Sequence, residues 1–407
     1  MTDASNQNVQ KIEMASNSVT GGASAIMEAV LLAKSSVIVF GESVVVGDVF
    51  GGGTGGHLGR LKEKFPIAKF DGHVRFDDSL DEATGEEKHD YYVVERYGER
   101  LFHGSCTGLI EKYFPKFDAE GAYNGMKKRG RIDDPNDEYY QMSKEDVLKQ
   151  WSETGRDARN HGKEMHKTIE AFLNCVVDIA APVWESVHNK PALDRFLCMW
   201  RTEIVGKIIP LRTELIMFDR RYEFSGQADL IYTRPEWLAD PHKCKWIGVG
   251  DWKRSKKTFD EKAYGTGFGP CASLPNDSLS KYRLQMSLYA SCLMRQTDYE
   301  VVELCLGIFH EKHPTYRWIV AEPLYDIADK MLVERRQFNV VKYLNTALSL
   351  STHLQSTHSA SPDREEFCEL EDAVKSLDGL FRDMTVFGAT TEEILGTEKR
   401  RRLEANN

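Results

Sequence analysis

No pair of cysteines in this 407-residue chain is spaced as CxxC, which excludes a zinc ribbon. The eight cysteines are too sparse and too scattered for a disulfide scaffold, and they imply free thiols in an intracellular, reducing compartment. No apolar run is long enough to span a bilayer. The longest, from Ala29 to Phe50, is broken by Lys34, Glu42 and Asp48, so no membrane association is expected. The first 25 residues carry Asp3 and Glu13 with only Lys11 as a cation, unlike a secretory signal or an Arg-rich transit peptide. Positive charge is not in excess either: 53 Lys plus Arg against 63 Asp plus Glu leave a net charge of −10, so any nucleic-acid contact must come from a local basic patch. No Walker motif is present, and an ATP-driven partner would have to be another chain.

Length and composition allow an enzyme-sized core divided among two or three domains, at about 150 residues each. Residues 1–25, rich in Asn, Ser, Ala and Thr, read as a disordered leader. Residues 26–75 follow as a hairpin and Gly-rich linker region. Its β-branched runs Ser36 to Phe40 and Val44 to Val46 are joined by Gly41-Glu42-Ser43, and the glycines of Gly51 to Gly56 come next. Those glycines satisfy GxGxxG by composition, without a βαβ unit or a following Lys-Ser or Lys-Thr. A flexible linker is the expected reading, with a nucleotide-binding loop as the rival.

Residues 76–139 read as a small strand-and-helix element, and 140–350 as the main domain. Within it, Ser143-Lys144-Glu145-Asp146 fits a capping box, and after Gly155 and Gly162 a second amphipathic helix places His166, Ile169, Glu170, Leu173 and Val177 on one face. The period then changes from that of a helix to that of strands. Strands are expected over Arg212–Phe218, Arg221–Tyr232 and Lys245–Trp252, with a tight turn at Asp219-Arg220. Helix Leu279–Met294, strands Glu300–Phe309 and Tyr316–Ala321, and helix Tyr325–Leu348 complete an α/β body of at least five strands. Residues 351–407 read as an acidic helix and a basic tail. Phe367, Leu370, Val374, Leu377 and Phe381 form a seam over 362–381 that packs on its own domain or docks a protein partner. Lys399 to Arg402 is a solvated charge run or a nuclear-localisation patch.

The chemistry concentrates between Ser225 and Lys257. Asp229 lies inside an apolar strand and Asp251 ends the next, and a buried carboxylate without a partner costs several kcal/mol, on the order of a full polar desolvation penalty. Two such acids call for a shared cation. Alternation along the strand projects Asp251 and Lys253 from one face with Ile247 and Val249, while Trp252 turns away. Two carboxylates and a lysine on adjacent strands suit metal-assisted phosphodiester cleavage: hard Mg²⁺ prefers carboxylate oxygens, and an ammonium offsets developing charge. His166, one turn from Glu170, offers a further ligand from the helix.

These segments, helical GKEMH…E, then GQAD, then DWK, then QMSLY, resemble the RecB-like exonuclease branch of the PD-(D/E)XK nuclease superfamily over roughly residues 140 to 350. Gly162, His166 and Glu170 resemble its helix-borne motif, Asp229 its second motif, Asp251-Trp252-Lys253 its D-x-K motif, and Gln285 and Tyr289 its Q-x-x-x-Y helix. The resemblance implies a restriction-endonuclease-like core, a mixed central β-sheet flanked by α-helices, with N-terminal and C-terminal extensions. It implies His166, Asp229 and Asp251 as ligands of Mg²⁺ or Mn²⁺, Lys253 serving the attacking water, and Gln285 and Tyr289 supporting the site. Ala228 replaces the proline that names the superfamily, and the carboxylate after it is kept. Cys271, Cys292 and Cys305 lie 21 and 13 positions apart, unlike the tight late trio of the iron–sulfur members, so no iron–sulfur cluster is expected.

Cations gather beside the acids. Arg254, Ser255, Lys256, Lys257 and Arg283 are candidate phosphate contacts, with a solvated charge run as the alternative for Lys256 and Lys257; Tyr264 is a candidate base-stacking group, and Trp252 reads equally as a stacking group or as a core residue. The expectation is a metal-dependent DNA nuclease, an exonuclease or flap-processing enzyme acting on single strands or free ends, because no target-recognition domain is evident. Its rival is a nucleic-acid-binding protein that keeps the fold without cleavage.

Overall fold

The structure is a computed structural model. It describes strands at 36–39 and 42–45 and residues 60–174 and 189–356, with gaps at 69, 78, 80–87, 89, 96–97, 103, 258, 260–262 and 264. The leader, the Gly51 to Gly56 loop, Val177, Tyr264, the seam over 362–381 and Lys399 to Arg402 lie outside the described residues.

Among the described residues, ten strands form three sheets. β1 (Ser36–Val39) and β2 (Glu42–Val45) pair antiparallel, with Val39 opposite Glu42, so Glu42 and Ser43 belong to a strand and not to the expected connection. β3 (Val74–Asp77), β4 (Asp90–Glu95) and β5 (Gly98–Phe102) make an antiparallel three-stranded sheet, and β3 straddles the 75/76 boundary read from the sequence. The central sheet holds β6 (Ile209–Asp219), β7 (Phe224–Thr233), β8 (Trp246–Lys253), β9 (Glu300–Ile308) and β10 (Arg317–Val320) in the order β10-β9-β8-β7-β6. It is mixed: β8 and β9 run parallel, and the remaining neighbours antiparallel. A parallel pair needs a crossover, which is supplied by a helix over Ser278–Gln296.

Eight α-helices accompany the strands among the described residues: α1 (Arg60–Lys64), α2 (Cys106–Glu111), α3 (Ala119–Lys128), α4 (Lys144–Leu173), α5 (Lys190–Met199), α6 (Pro235–Leu238), α7 (Ser278–Gln296) and α8 (Tyr325–Ser356). Ser143 caps α4 as its sequence predicts, its Oγ accepting the Asp146 amide at 3.1 Å. The two helices expected here are one. Gly155 and Gly162 each cost a helix interior about 1 kcal/mol relative to alanine, too little to interrupt a helix packed at both ends. Its first half meets Tyr123, Met126 and Ile132 through Val147, and its second half carries Met165, Ile169, Phe172 and Leu173 into the main body.

The central sheet buries both faces, which makes three layers. On one side, Leu284 and Leu288 of α7, Met331 of α8 and Leu109 of α2 pack on Ile231, Val249 and Leu306. On the other, α4 and α5 pack on Leu230, Tyr232 and Trp252. Leu61, Phe70 and Tyr91, from the segments before residue 140, join the first of these cores. The expected turn at Asp219-Arg220 is longer than two residues, because β7 starts at Phe224 and Glu223 adopts φ +46° to close it. No described helix is long and apolar enough to cross a membrane. The six described cysteines are free thiols, and Cys271, Cys292 and Cys305 lie on three separate elements.

Candidate functional site

Four elements meet at one point of the central sheet. Asp229 sits in the middle of β7 and Asp251 near the end of β8. The register that sets Leu230 opposite Gly250 brings the two acids side by side. Asp229 is fixed by the backbone of β8, where the Trp252 amide donates to its Oδ2 at 2.6 Å. From α4, His166 Nδ1 reaches to 3.5 Å from Asp229 Oδ1 and 3.6 Å from Glu214 Oε1.

Glu214, on β6, was not among the residues singled out from sequence. It is nonetheless part of a group of three potential ligands among the described residues: one atom each from His166, Glu214 and Asp229 lie within 4.8 Å of one another. Its signal was weak: Glu214 follows Arg212 and Thr213 and precedes the apolar Leu215 to Phe218, so it stands at the head of an apolar run and not inside one as Asp229 does. The backbone marks the position, because Glu214 holds φ +46° inside a strand, a conformation that costs a non-glycine residue about 1–3 kcal/mol and collects at functional sites. Gln227, from the Gly226-Gln227-Ala228-Asp229 segment, aims the carboxylate by donating from Nε2 to Glu214 Oε2 at 2.6 Å.

Asp251 differs from its expected place. Its carboxylate is turned to Lys253, with Oδ2 2.6 Å from Nζ, and lies outside the three-residue group. Neither of its oxygens accepts a well-aligned hydrogen bond, although the residue is 1% exposed. Burial pushes its carboxyl up to about 7; Lys253 offsets part of the effect, and the charge of Asp229 adds to it. Burial acts against the Lys253 ammonium, but Asp251 and Asp229 outweigh it and raise its pKa. The Lys253 ammonium also lies 5.1 Å from the centre of the Tyr282 ring.

The remaining ionisations follow the same balance. Burial opposes a charge on His166, yet the charges and hydrogen bonds of Asp229 and Glu214 hold its pKa well above the ordinary value. Burial and the charge of Asp229 raise Glu214. Asp229, despite burial, is held below the usual range by the His166 charge and hydrogen bond, by Lys253 and by the Trp252 amide. Glu170, one turn along α4 from His166, is pushed up to about 7 by burial and by Glu214.

Gln285 and Tyr289 meet on one face of α7, with Gln285 Nε2 donating to the Tyr289 hydroxyl at 2.9 Å. Gly226 exists for this ring: a Cβ there would fall 2.4 Å from Tyr289 Cε1. The pair is thus wedged under β7, three residues before Asp229.

The candidate phosphate contacts divide. Lys256 and Lys257 are exposed, and Lys257 Nζ donates to Ser278 Oγ at 2.9 Å. Ser255 turns inward, its carbonyl 2.8 Å from His313 Nε2. Arg254, with a side chain only 9% exposed, is tied to Glu311 at 3.0 Å, and Arg283 donates to the Glu322 carbonyl at 2.9 Å and its carboxylate at 3.2 Å. Trp252 cannot stack on a base, because it is buried among Phe196, Phe309 and Trp318. Alternation decides this: the neighbour of two inward-facing polar residues must face the opposite core.

Neither a protein-family model nor a curated protein sequence matches the chain.

Proposed function

We propose that the chain is a metal-dependent nuclease that hydrolyses DNA phosphodiester bonds on a restriction-endonuclease-like core. The observation that carries the reading is the convergence of His166, Glu214 and Asp229 beside the Asp251–Lys253 pair on adjacent strands. The donor set fits a hard divalent cation, two carboxylates and one imidazole with a third carboxylate adjacent. The buried Asp251 carboxylate is paired through Oδ2 with Lys253 and leaves Oδ1 without a hydrogen-bond partner, an acceptor of the kind a cation satisfies.

His166, Glu214 and Asp229 would hold Mg²⁺ or Mn²⁺, with Asp251 turning from Lys253 to join them. The bound cation would polarise a phosphoryl oxygen and lower the pKa of water. Gln227 fixes Glu214, and the Trp252 amide fixes Asp229, so the ligands need little rearrangement. The Lys253 ammonium, held on the same face of β8 as Asp251, would stand beside the scissile phosphate and stabilise the negative charge that grows as the bond to phosphorus breaks. Exposed Lys256 and Lys257, just beyond, grip phosphates without reading bases.

The test is incubation of purified protein with end-labelled single-stranded, double-stranded, flapped and circular DNA in Mg²⁺, Mn²⁺ or EDTA. Cleavage that needs the metal and disappears in Asp229→Asn supports the reading. Binding without cleavage in any metal turns it to a nucleic-acid-binding protein on the same fold, and absence of both overturns it.

A further inference from the structure

α4 separates its charges by sign. Between residues 149 and 167 its lysines and arginines are Lys149, Arg156, Arg159, Lys163 and Lys167, at intervals of seven, three, four and four residues, which keeps them on one face of the helix. The three acids of the same stretch, Glu153, Asp157 and Glu164, follow at intervals of four and seven and make a row of their own, rotated from the first by roughly 90° at about 100° per residue. The side opposite the cations is the buried one: Val147 joins Tyr123 and Met126, and Met165, Ile169 and Phe172 enter the main body.

Four of the five cations are available. Lys149, Arg156, Arg159 and Lys167 are exposed, and among the described residues none of the four has a side-chain ion pair or hydrogen bond, whereas Lys163 is already engaged. The neighbouring acid Glu164 is turned away, accepting from Asn189 Nδ2 at 2.7 Å. A helix face that only meets solvent mixes its signs and laces them into pairs three or four residues apart. This one keeps a single sign over about 27 Å, at about 1.5 Å per residue, in a chain whose net charge is −10. The row is also continuous with the candidate metal group. Arg159, Lys163, His166 and Glu170 succeed one another at intervals of four, three and four, so His166 stands where the cationic face ends.

We propose that the cationic face of α4 holds the phosphate backbone of a nucleic-acid strand and leads it to the metal group. A polyanion with evenly spaced charges fits a straight row of lysines and arginines, which grip phosphates and release counterions without reading bases. Measured along the helix axis, the row starts about 25 Å before His166, or roughly seven nucleotides at about 3.4 Å each. The inference rests on the nuclease reading of the site and adds a length requirement to it. A strand too short to reach Arg156 and Lys149 is cut without their help, and a longer one is held by them.

The test uses the full chain carrying Lys149→Gln, Arg156→Gln and Arg159→Gln together, since glutamine keeps the helix propensity and removes the charge. Lys149→Arg, Arg156→Lys and Arg159→Lys form the charge-conserving triple, and thermal melting confirms folding. Binding to a long single-stranded oligonucleotide is measured in Ca²⁺ across a salt series. Loss of three phosphate contacts should reduce the slope of log affinity against log salt by about 2, at about 0.7 per contact on a single strand. The charge-conserving triple should keep most of that slope. In Mn²⁺ the glutamine triple should raise KM for the long strand severalfold more than KM for a trinucleotide. An unchanged salt slope while wild type cleaves DNA overturns the inference and leaves the nuclease reading standing. A reduced slope in a protein that never cleaves keeps the helix face as a nucleic-acid surface and removes the nuclease. Wild-type affinity that is equal for a trinucleotide and the long strand overturns the inference even if the glutamine triple does not fold. Binding of polyglutamate that is lost in the glutamine triple, without change in the oligonucleotide slope, would make the face a surface for an acidic protein and overturn the proposal, as would a wild type that does not bind DNA.

Discussion

Glu214→Gln distinguishes a carboxylate that holds a cation from one that holds the fold. The substitution preserves volume and leaves Gln227, 2.6 Å away, a polar partner. At an effective dielectric constant of about 20, the attraction lost to His166 across 3.6 Å is about 4.6 kcal/mol, and the repulsion lost from Asp229, at the 4.8 Å limit of the group, is about 3.5 kcal/mol. The two oppose each other and leave about 1 kcal/mol, which the relief of a buried charge reduces further. In EDTA the melting temperature of the variant should therefore stay within a few degrees of wild type. Cation makes the difference. At a concentration one hundred times Kd, a bound ion stabilises wild type by about 2.7 kcal/mol, and a variant whose affinity has fallen a hundredfold retains only about 0.4 kcal/mol at the same concentration. Thermal melts in EDTA and in a Mn²⁺ series read both numbers. An equal Mn²⁺ response in the two proteins, or collapse of the variant in EDTA, would refute the assignment of Glu214 as a ligand.

Lys253→Ala should lower the single-turnover cleavage rate about a hundredfold or more, the scale of a lost transition-state contact, and leave DNA affinity in Ca²⁺ within a few-fold; an unchanged rate would remove the lysine from the chemistry. Glu170 is held at about 7 against an ordinary 4.5, so it titrates higher in the folded chain than in the unfolded one. The stability it gives is present while it is protonated and is lost as pH rises from about 4.5 to about 7, so in EDTA Glu170→Gln should gain on wild type in melting temperature across that window; parallel curves would mean that Glu170 is not buried as described. Gly226→Ala should destabilise the fold by about 1–3 kcal/mol, because its Cβ would fall 2.4 Å from the Tyr289 ring, and a chemical-denaturation midpoint equal to wild type would contradict that packing.

The order of the strands in the main body was legible because the hydrophobic period changes from that of a helix to that of strands, and β6 to β10 lie within three residues of their expected limits, whereas α5 was not read from the sequence. The acids on β7 and β8 were legible for the same reason, since a charge inside an apolar strand has few bland explanations. Glu214 escaped because Arg212 and Thr213 precede it, so no single charge stands out inside an apolar run on that strand. Two features depend on contacts that no single segment reveals. Trp252 reads from sequence as a stacking group or a core residue, and the meeting of α5, β9 and β10 around it shows it to be core. Arg254 and Arg283 read as free cations until the fold brings Glu311 and Glu322, 57 and 39 residues away, to their guanidinium groups. The continuous α4 is a third case, because glycine propensity alone cannot report that the helix is anchored at both ends.

The central claim, that His166, Glu214 and Asp229 hold the cation that DNA cleavage requires, is tested most directly by the single-turnover cleavage rate as a function of Mn²⁺ concentration. Wild type should saturate and Asp229→Asn should show no rate. For Glu214→Gln and His166→Ala, half-saturation should move to concentrations higher by about tenfold or more, the scale of a damaged metal site. Cleavage that persists in EDTA, or four superimposable Mn²⁺ curves, would contradict it.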